Sequence, residues 1–184
     1  MHTLICFGDS NTYGYDPRSP LGGRFAPDLR WTGRLTGWAV HEAGQNGRTI
    51  PCRPGELAEP SRLAAALEPG GRFLVMLGSN DLLLGRSAPE TAARMGAFLR
   101  TLPAAAPLLV APPPLRRGTW VREPGLPGAS RQLSRLYEDL AEELAIPFAD
   151  AGAWGVETLF DGVHFSEAGH RSFAAGLQAA LDRL

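Results

Sequence analysis

The chain has 184 residues, 44% of them hydrophobic, which is enough for one substantial core and short for two, so one domain over residues 1–184 is expected. Its net charge of -1 is spread without a basic or acidic block, which argues against a nucleic-acid groove or a polybasic membrane anchor. All 18 basic residues are arginine, a coding bias without functional content.

In chain order, the apolar run Leu4-Ile5-Cys6-Phe7 ends in Gly8-Asp9-Ser10-Asn11 and reads as a buried strand breaking into a loop. No charged leader or apolar h-region precedes it, and the two cysteines, Cys6 and Cys52, form no disulfide framework, so a reducing, cytoplasmic setting is expected. Residues 16–34 are rich in Pro, Gly and Arg and read as a long loop leading into a helix over 32–38. A weak second strand over 40–43 follows, ending in the turn-forming cluster Gly44-Gln45-Asn46-Gly47. A helix over 57–67 and a near-continuous apolar strand over 72–77 come next, the strand running into Gly78-Ser79-Asn80-Asp81. Residues 91–102 read as a helix and 108–111 as strand four. The longest apolar stretch, 103–115, is interrupted by prolines and too short for a membrane span. Residues 116–128 are loop-like, either walling a site or simply connecting. A strongly periodic helix over 130–144, a fifth strand over 146–149 and a final helix over 167–184 capped by Ser166 complete the chain.

Strands alternating with amphipathic helices predict an α/β fold. The expected architecture is three-layer α/β/α, a flavodoxin-like five-stranded parallel sheet of order 2-1-3-4-5. Four polar clusters, at Ser10, Gly47, Asn80 and Asp161 with His164, then follow four different strands, and one crevice could collect them. A serine hydroxyl needs an adjacent base and the base needs an orienting group, roles open to His164 and Asp161. The Ser10 N–H, the Gly47 N–H and the Asn80 amide are candidate oxyanion donors. Tyr13, Tyr15 and Trp120 are candidate substrate contacts, although aromatics more often pack. The plainer reading of Asp9 or Ser10 is a helix cap, and of Gly47 a simple turn. His2, His41 and His170 read as surface or core, and Asp9 and Asp81 as turn and loop hydrogen-bonding groups. His164 and His170 are six apart and no Cys-x-x-Cys pair is present, so no metal is expected.

These clusters resemble the four blocks of the SGNH or GDSL hydrolases: Phe7-Gly8-Asp9-Ser10-Asn11-Thr12, Gly44-Gln45-Asn46-Gly47-Arg48-Thr49, Gly78-Ser79-Asn80-Asp81 and Asp161-Gly162-Val163-His164-Phe165. Asn11 departs from the leucine of the family name, and Arg24-Phe25-Ala26-Pro27 with Arg30-Trp31-Thr32-Gly33 resembles the arylesterase and acyltransferase branch. The resemblance implies hydrolysis of small, short-chain acyl esters through an acyl-serine, without metal or organic cofactor. Residues 50–61 are shorter than the insertion that branch carries there for oligomer contacts and for narrowing the site. A homo-oligomer is therefore left open. Carbohydrate O-acetyl ester hydrolysis and acyl transfer to alcohols are alternatives on the same site. A flavodoxin-like flavin- or nucleotide-binding module is the alternative of another class, and it gives no role to Asn80, Asp161 or His164.

Overall fold

The computed structural model describes residues 1–19, 21–102 and 107–184, so residues 103–106 of the apolar stretch and residue 20 of the first long loop lie outside the described residues. Five parallel strands form one sheet in the order 2-1-3-4-5, as the alternation of strands and helices predicts. They are β1 (His2–Gly8), β2 (Trp38–Gly44), β3 (Arg72–Met76), β4 (Leu108–Ala111) and β5 (Phe148–Asp150). Helices α1 (Ser10–Tyr13), α2 (Pro54–Ala65), α3 (Ser79–Leu83), α4 (Ala88–Leu99), α5 (Leu126–Leu144) and α6 (Glu167–Leu181) connect and flank them.

The central strands are buried on both faces, which is why they read as unbroken apolar runs. Alternate residues feed two core layers. Ile5, Phe7, Phe73, Val75 and Leu109 meet α4 and α5 on one side through Phe98, Leu133 and Tyr137. Leu4, Cys6, Leu74, Met76 and Val110 meet α6 on the other through Phe173 and Leu177. Burial pushes the Cys6 thiol far above its ordinary range, so it packs as a small hydrophobe. Among the described residues no helix is long and apolar enough to cross a membrane.

The expected helix over 32–38 is not formed. A single 3-10 turn covers Thr32–Arg34, and β2 starts at Trp38. Two glycines in seven residues weaken helix propagation, and Gly37, at φ +80°, turns the chain into the strand instead. The strand is longer than the 40–43 expected because it pairs with β1 along its whole length, while its edge position leaves alternate side chains exposed and masks the apolar signal. Strand β5 begins two residues late, since the chain from α5 is still closing a turn in which the Ile146 N–H donates to the Ala141 carbonyl. Helix α5 takes the end of the expected 116–128 loop, and α4 starts three residues early on a capping box in which Ser87 and Glu90 bond each other's backbone N–H.

Register sets the position of the polar clusters. Gly8 at the end of β1 lies opposite both Gly44 at the end of β2 and Met76 at the end of β3. Three strands therefore stop at one level, and the loops beginning at Asp9, Gln45 and Leu77 open on one edge.

Candidate active site

Ser10 is the first residue of α1, and Asp9 before it is the N-cap, its carboxylate accepting the Asn11 N–H at 2.9 Å. The capping reading and the nucleophile reading of this loop are thus compatible: the cap belongs to Asp9, leaving the Ser10 hydroxyl unclaimed by the helix. That hydroxyl lies 2.9 Å from His164 Nε2, and His164 Nδ1 lies 2.7 Å from Asp161 Oδ2. The other Asp161 oxygen accepts the backbone N–H groups of Val163 and His164, each at 2.9 Å. Burial alone would raise the Asp161 carboxyl, but the His164 ring bond and the two backbone bonds outweigh it and hold the group below its ordinary range. Asp161 is therefore ionised, and it fixes the His164 tautomer with Nδ1 protonated and Nε2 free to accept. All three residues are buried, Ser10 being the most accessible at 6%.

Residues 116–121, whose role the sequence left open, brace this turn. Arg116 N–H donates to the Gly162 carbonyl at 3.0 Å, Thr119 N–H to Phe160 at 3.1 Å and Trp120 N–H to Asp161 at 3.2 Å. The approach is so close that a Cβ on Gly118 would lie 2.3 Å from the Asp161 carbonyl carbon, which only glycine permits.

A cavity of about 390 Å3 opens on the serine, lined by Ser10, Tyr15, Asn46, Gly47, Asn80, Trp120 and His164. The Tyr15 and Trp120 rings stand 4.8 and 4.9 Å from the His164 ring and cover it on two sides, with Trp120 itself half exposed at 53%. Tyr13 is not brought to this cavity: its ring carries the Arg24 guanidinium at 4.4 Å and its carbonyl accepts from Arg24 Nε. Helix α1 ends at Tyr13, and the left-handed Gly14 after it redirects the chain before Tyr15.

Gly47 sits in the 45–48 turn at φ +73°, a conformation L side chains avoid, while a Cβ there would meet nothing. The backbone, not crowding, requires this glycine. Asn80 Nδ2 donates to the Arg48 carbonyl at 3.0 Å and faces Asp9 Oδ2 at 3.5 Å. Asp9 is buried, and desolvation pushes its carboxyl up to about 6 against the opposing pull of the Asn11 N–H, His164 and Arg48. Asp81 behaves as a loop-bonding group: Oδ2 accepts the Ile50 N–H at 3.0 Å, and Arg94 approaches Oδ1 at 3.2 Å. His170 is a core residue whose pKa burial drives down to about 4, helped by the charges of Arg30 and Arg34; His2 and His41 are exposed.

Arg48 and Asn11 are site-building residues that the sequence reading passed over. Arg48 bonds the Gly8 carbonyl at 3.1 Å and the Ala43 carbonyl, lies 4.1 Å over the Phe7 ring and pairs with Glu59 at 2.7 Å, so it joins the ends of β1 and β2 beneath the Gly47 turn. The Asn11 side chain bonds the backbone on both sides of His164. For Asn11 the available signal was a polar residue just past a buried apolar strand; Arg48, in the loop after the half-exposed β2, carried none.

The arrangement can activate a hydroxyl for attack on an electrophilic carbon beside a turn and an amide that offer N–H groups. Among the described residues no group of three or more His, Cys, Asp or Glu is placed to hold a metal ion.

Comparison with known proteins agrees with this geometry. The family model described as "GDSL-like Lipase/Acylhydrolase family" matches residues 6–172. The native aryl esterase of M. smegmatis is similar at 31% identity over 100% of both chains, with a TM-score of 0.83. A carbohydrate acetylesterase family member from Sinorhizobium meliloti is 30% identical over 100% of this chain and 98% of its own, with a TM-score of 0.81. A lipolytic G-D-S-L family protein from Veillonella parvula shares the fold at 20% identity, 99% coverage of each chain and a TM-score of 0.80. No match was found among curated proteins. With the family model spanning nearly the whole chain and the serine, glycine, asparagine and histidine blocks opening on one edge of the sheet, the chain belongs to the GDSL-like lipase/acylhydrolase family, as an SGNH-type carboxylic ester hydrolase.

Proposed function

We propose that the chain hydrolyses small, short-chain acyl esters through an acyl-serine intermediate. The observation that carries this reading is the chain of bonds from Ser10 Oγ through His164 to Asp161, at 2.9 and 2.7 Å, opening on a small cavity. Ser10 Oγ attacks the ester carbonyl while its proton passes to His164 Nε2, and Asp161 stabilises the imidazolium that forms. The oxyanion receives the N–H groups of Ser10 and Gly47 and the second Asn80 amide proton, which is held only by the 3.5 Å contact to Asp9. Collapse breaks the ester C–O bond, and the leaving alcohol takes the proton from Nε2. Water then attacks the acyl carbon with His164 again as base, releasing the carboxylic acid and restoring Ser10. Tyr15 and Trp120 wall the acyl side, and a cavity of about 390 Å3 suits a short chain.

A second reading, carbohydrate O-acetyl ester hydrolysis, is favoured by one feature. On the far side of Gly47 lies a polar cavity of about 350 Å3 lined by Gln45, Thr49, Glu56 and Glu59 among others, suited to a hydroxyl-rich alcohol. Initial rates on p-nitrophenyl esters from acetate to decanoate, beside acetylated sugars, test both. The esterase reading predicts an optimum at acetate or butyrate and loss on the order of 10³-fold in Ser10→Ala and His164→Ala. Equal rates in the three proteins overturn it, and acetylated sugars exceeding the aryl esters in kcat/KM select the second reading.

A further inference from the structure

The base of this site stands between two backbone groups that need partners. Val163 and Phe165, on either side of His164, are buried at 5% and 1% exposure, and a buried backbone N–H or carbonyl without a partner is costly. One side chain satisfies both. Asn11 Nδ2 donates to the Val163 carbonyl at 3.1 Å, and Asn11 Oδ1 accepts the Phe165 N–H at 3.0 Å. A planar primary amide offers its donor and acceptor in one plane, so two bonds fix its orientation and that of the segment it holds. Asn11 is covalently next to Ser10, while the groups it holds flank His164.

The other side of Asn11 is anchored too. Its carbonyl accepts the indole N–H of Trp31 at 2.9 Å, and the fully buried Trp31 donates its own backbone N–H to His170 Nδ1 at 3.3 Å. Arg30 beside it is tied to Glu42 on β2 through two bonds of 3.0 Å. The amide therefore works from a rigid support.

We infer that Asn11 is a positioning residue that sets the Ser10–His164 separation through its two bonds to the backbone on either side of His164. The inference rests on the esterase reading. Asn11 does not line the cavity, so it acts on the reacting pair and not on the substrate. Leucine, the residue of the family name at this place, offers neither bond.

Steady-state kinetics of Asn11→Leu and Asn11→Asp on p-nitrophenyl acetate, with the reactive serine counted by fluorophosphonate labelling, test this. Displacing a catalytic group by about 1 Å costs on the order of 10²-fold, so kcat is expected to fall about 10- to 100-fold in Asn11→Leu, with KM within about 3-fold of wild type. Asn11→Asp keeps the acceptor for Phe165 and loses the donor to Val163, and a loss of at least about 10-fold is expected there. Should Asn11→Leu fail to fold, Asn11→Asp decides, together with hydrogen exchange of the Phe165 amide in wild type, which the bond to Asn11 protects. Wild-type kcat in a folded variant, a loss carried by KM alone, or an unprotected Phe165 amide overturns the inference. A Ser10→Ala control that keeps the wild-type rate would defeat the esterase reading instead, whereas an inactive Ser10→Ala beside a fully active Asn11→Leu defeats only the positioning role.

Discussion

Two buried titratable groups near the site impose opposite pH dependences on stability, and Asp9→Asn separates them. Asp9 titrates at about 6 in the folded protein against 3.8 for the free side chain. Between those values the folded state binds the extra proton, so stability falls as pH rises through the window. At about 1.4 kcal/mol for each pH unit, the charged Asp9 costs about 3 kcal/mol above pH ~6. His170 runs the other way. It titrates at about 4 when folded and at 6.5 when free, so the unfolded state binds the extra proton between those values and stability rises with pH, again by about 3 kcal/mol. In wild type the two slopes largely cancel between about pH 4 and about pH 6. Asparagine at position 9 keeps the cap acceptor for the Asn11 N–H and removes the charge. Urea unfolding at steps from about pH 3.5 to about pH 7.5 is the assay. Asp9→Asn is expected to match wild type at the acid end and to exceed it by about 3 kcal/mol at neutrality, exposing the His170 slope in between. A difference that does not change with pH, or a variant less stable than wild type at neutrality, would refute the reasoning.

Three further outcomes are expected. Asn80→Ala removes one of the proposed oxyanion donors and should lower kcat by about 10²- to 10³-fold with little change in KM for aryl acetates, measured by steady-state kinetics. Gly118→Ala places a Cβ 2.3 Å from the Asp161 backbone, so the turn carrying Asp161 must move; a lower melting temperature and a kcat loss on the order of 10²-fold are expected, and unchanged values of both would contradict the bracing role of residues 116–121. Trp120→Ala removes a wall of the cavity, on the side proposed to take the acyl group, while exposing little new core, because Trp120 is already 53% exposed. The chain-length optimum on p-nitrophenyl esters should move to longer acyl groups, with stability changed by about 0.5 kcal/mol or less.

The sheet order and the meeting of the serine, glycine and asparagine blocks were legible because both follow from strong local signals, apolar runs of strand length and polar clusters directly after them; the Asp161–His164 block lies beyond a 3-10 turn and a loop after β5 and was legible from its chemistry instead. Parallel strands that end in register then converge those clusters without further information, as Gly8, Gly44 and Met76 do. Element ends were less legible. Trp38 belongs to β2 and not to a helix because a positive φ at Gly37 intervenes, and a glycine does not announce its sign of φ in sequence. Tyr13 is nearer Ser10 in the chain than Tyr15, yet only Tyr15 reaches the cavity, since α1 ends at Tyr13 and the left-handed Gly14 redirects the chain before Tyr15. Asn11 and Arg48 act through side-chain bonds to backbone groups distant in sequence, Asn11 to Val163 and Phe165 and Arg48 to Gly8, for which no spacing rule exists. The 116–121 segment braces Asp161 through backbone bonds, which side-chain identity does not encode.

The most direct test of Ser10 as the acyl-accepting nucleophile is fluorophosphonate labelling of the wild-type protein followed by peptide mapping, repeated with His164→Ala. The geometry of Ser10 and His164, 2.9 Å apart, predicts one adduct, on Ser10, forming far more slowly when His164 is replaced. An adduct on another residue, or none in a preparation that hydrolyses esters, would contradict it.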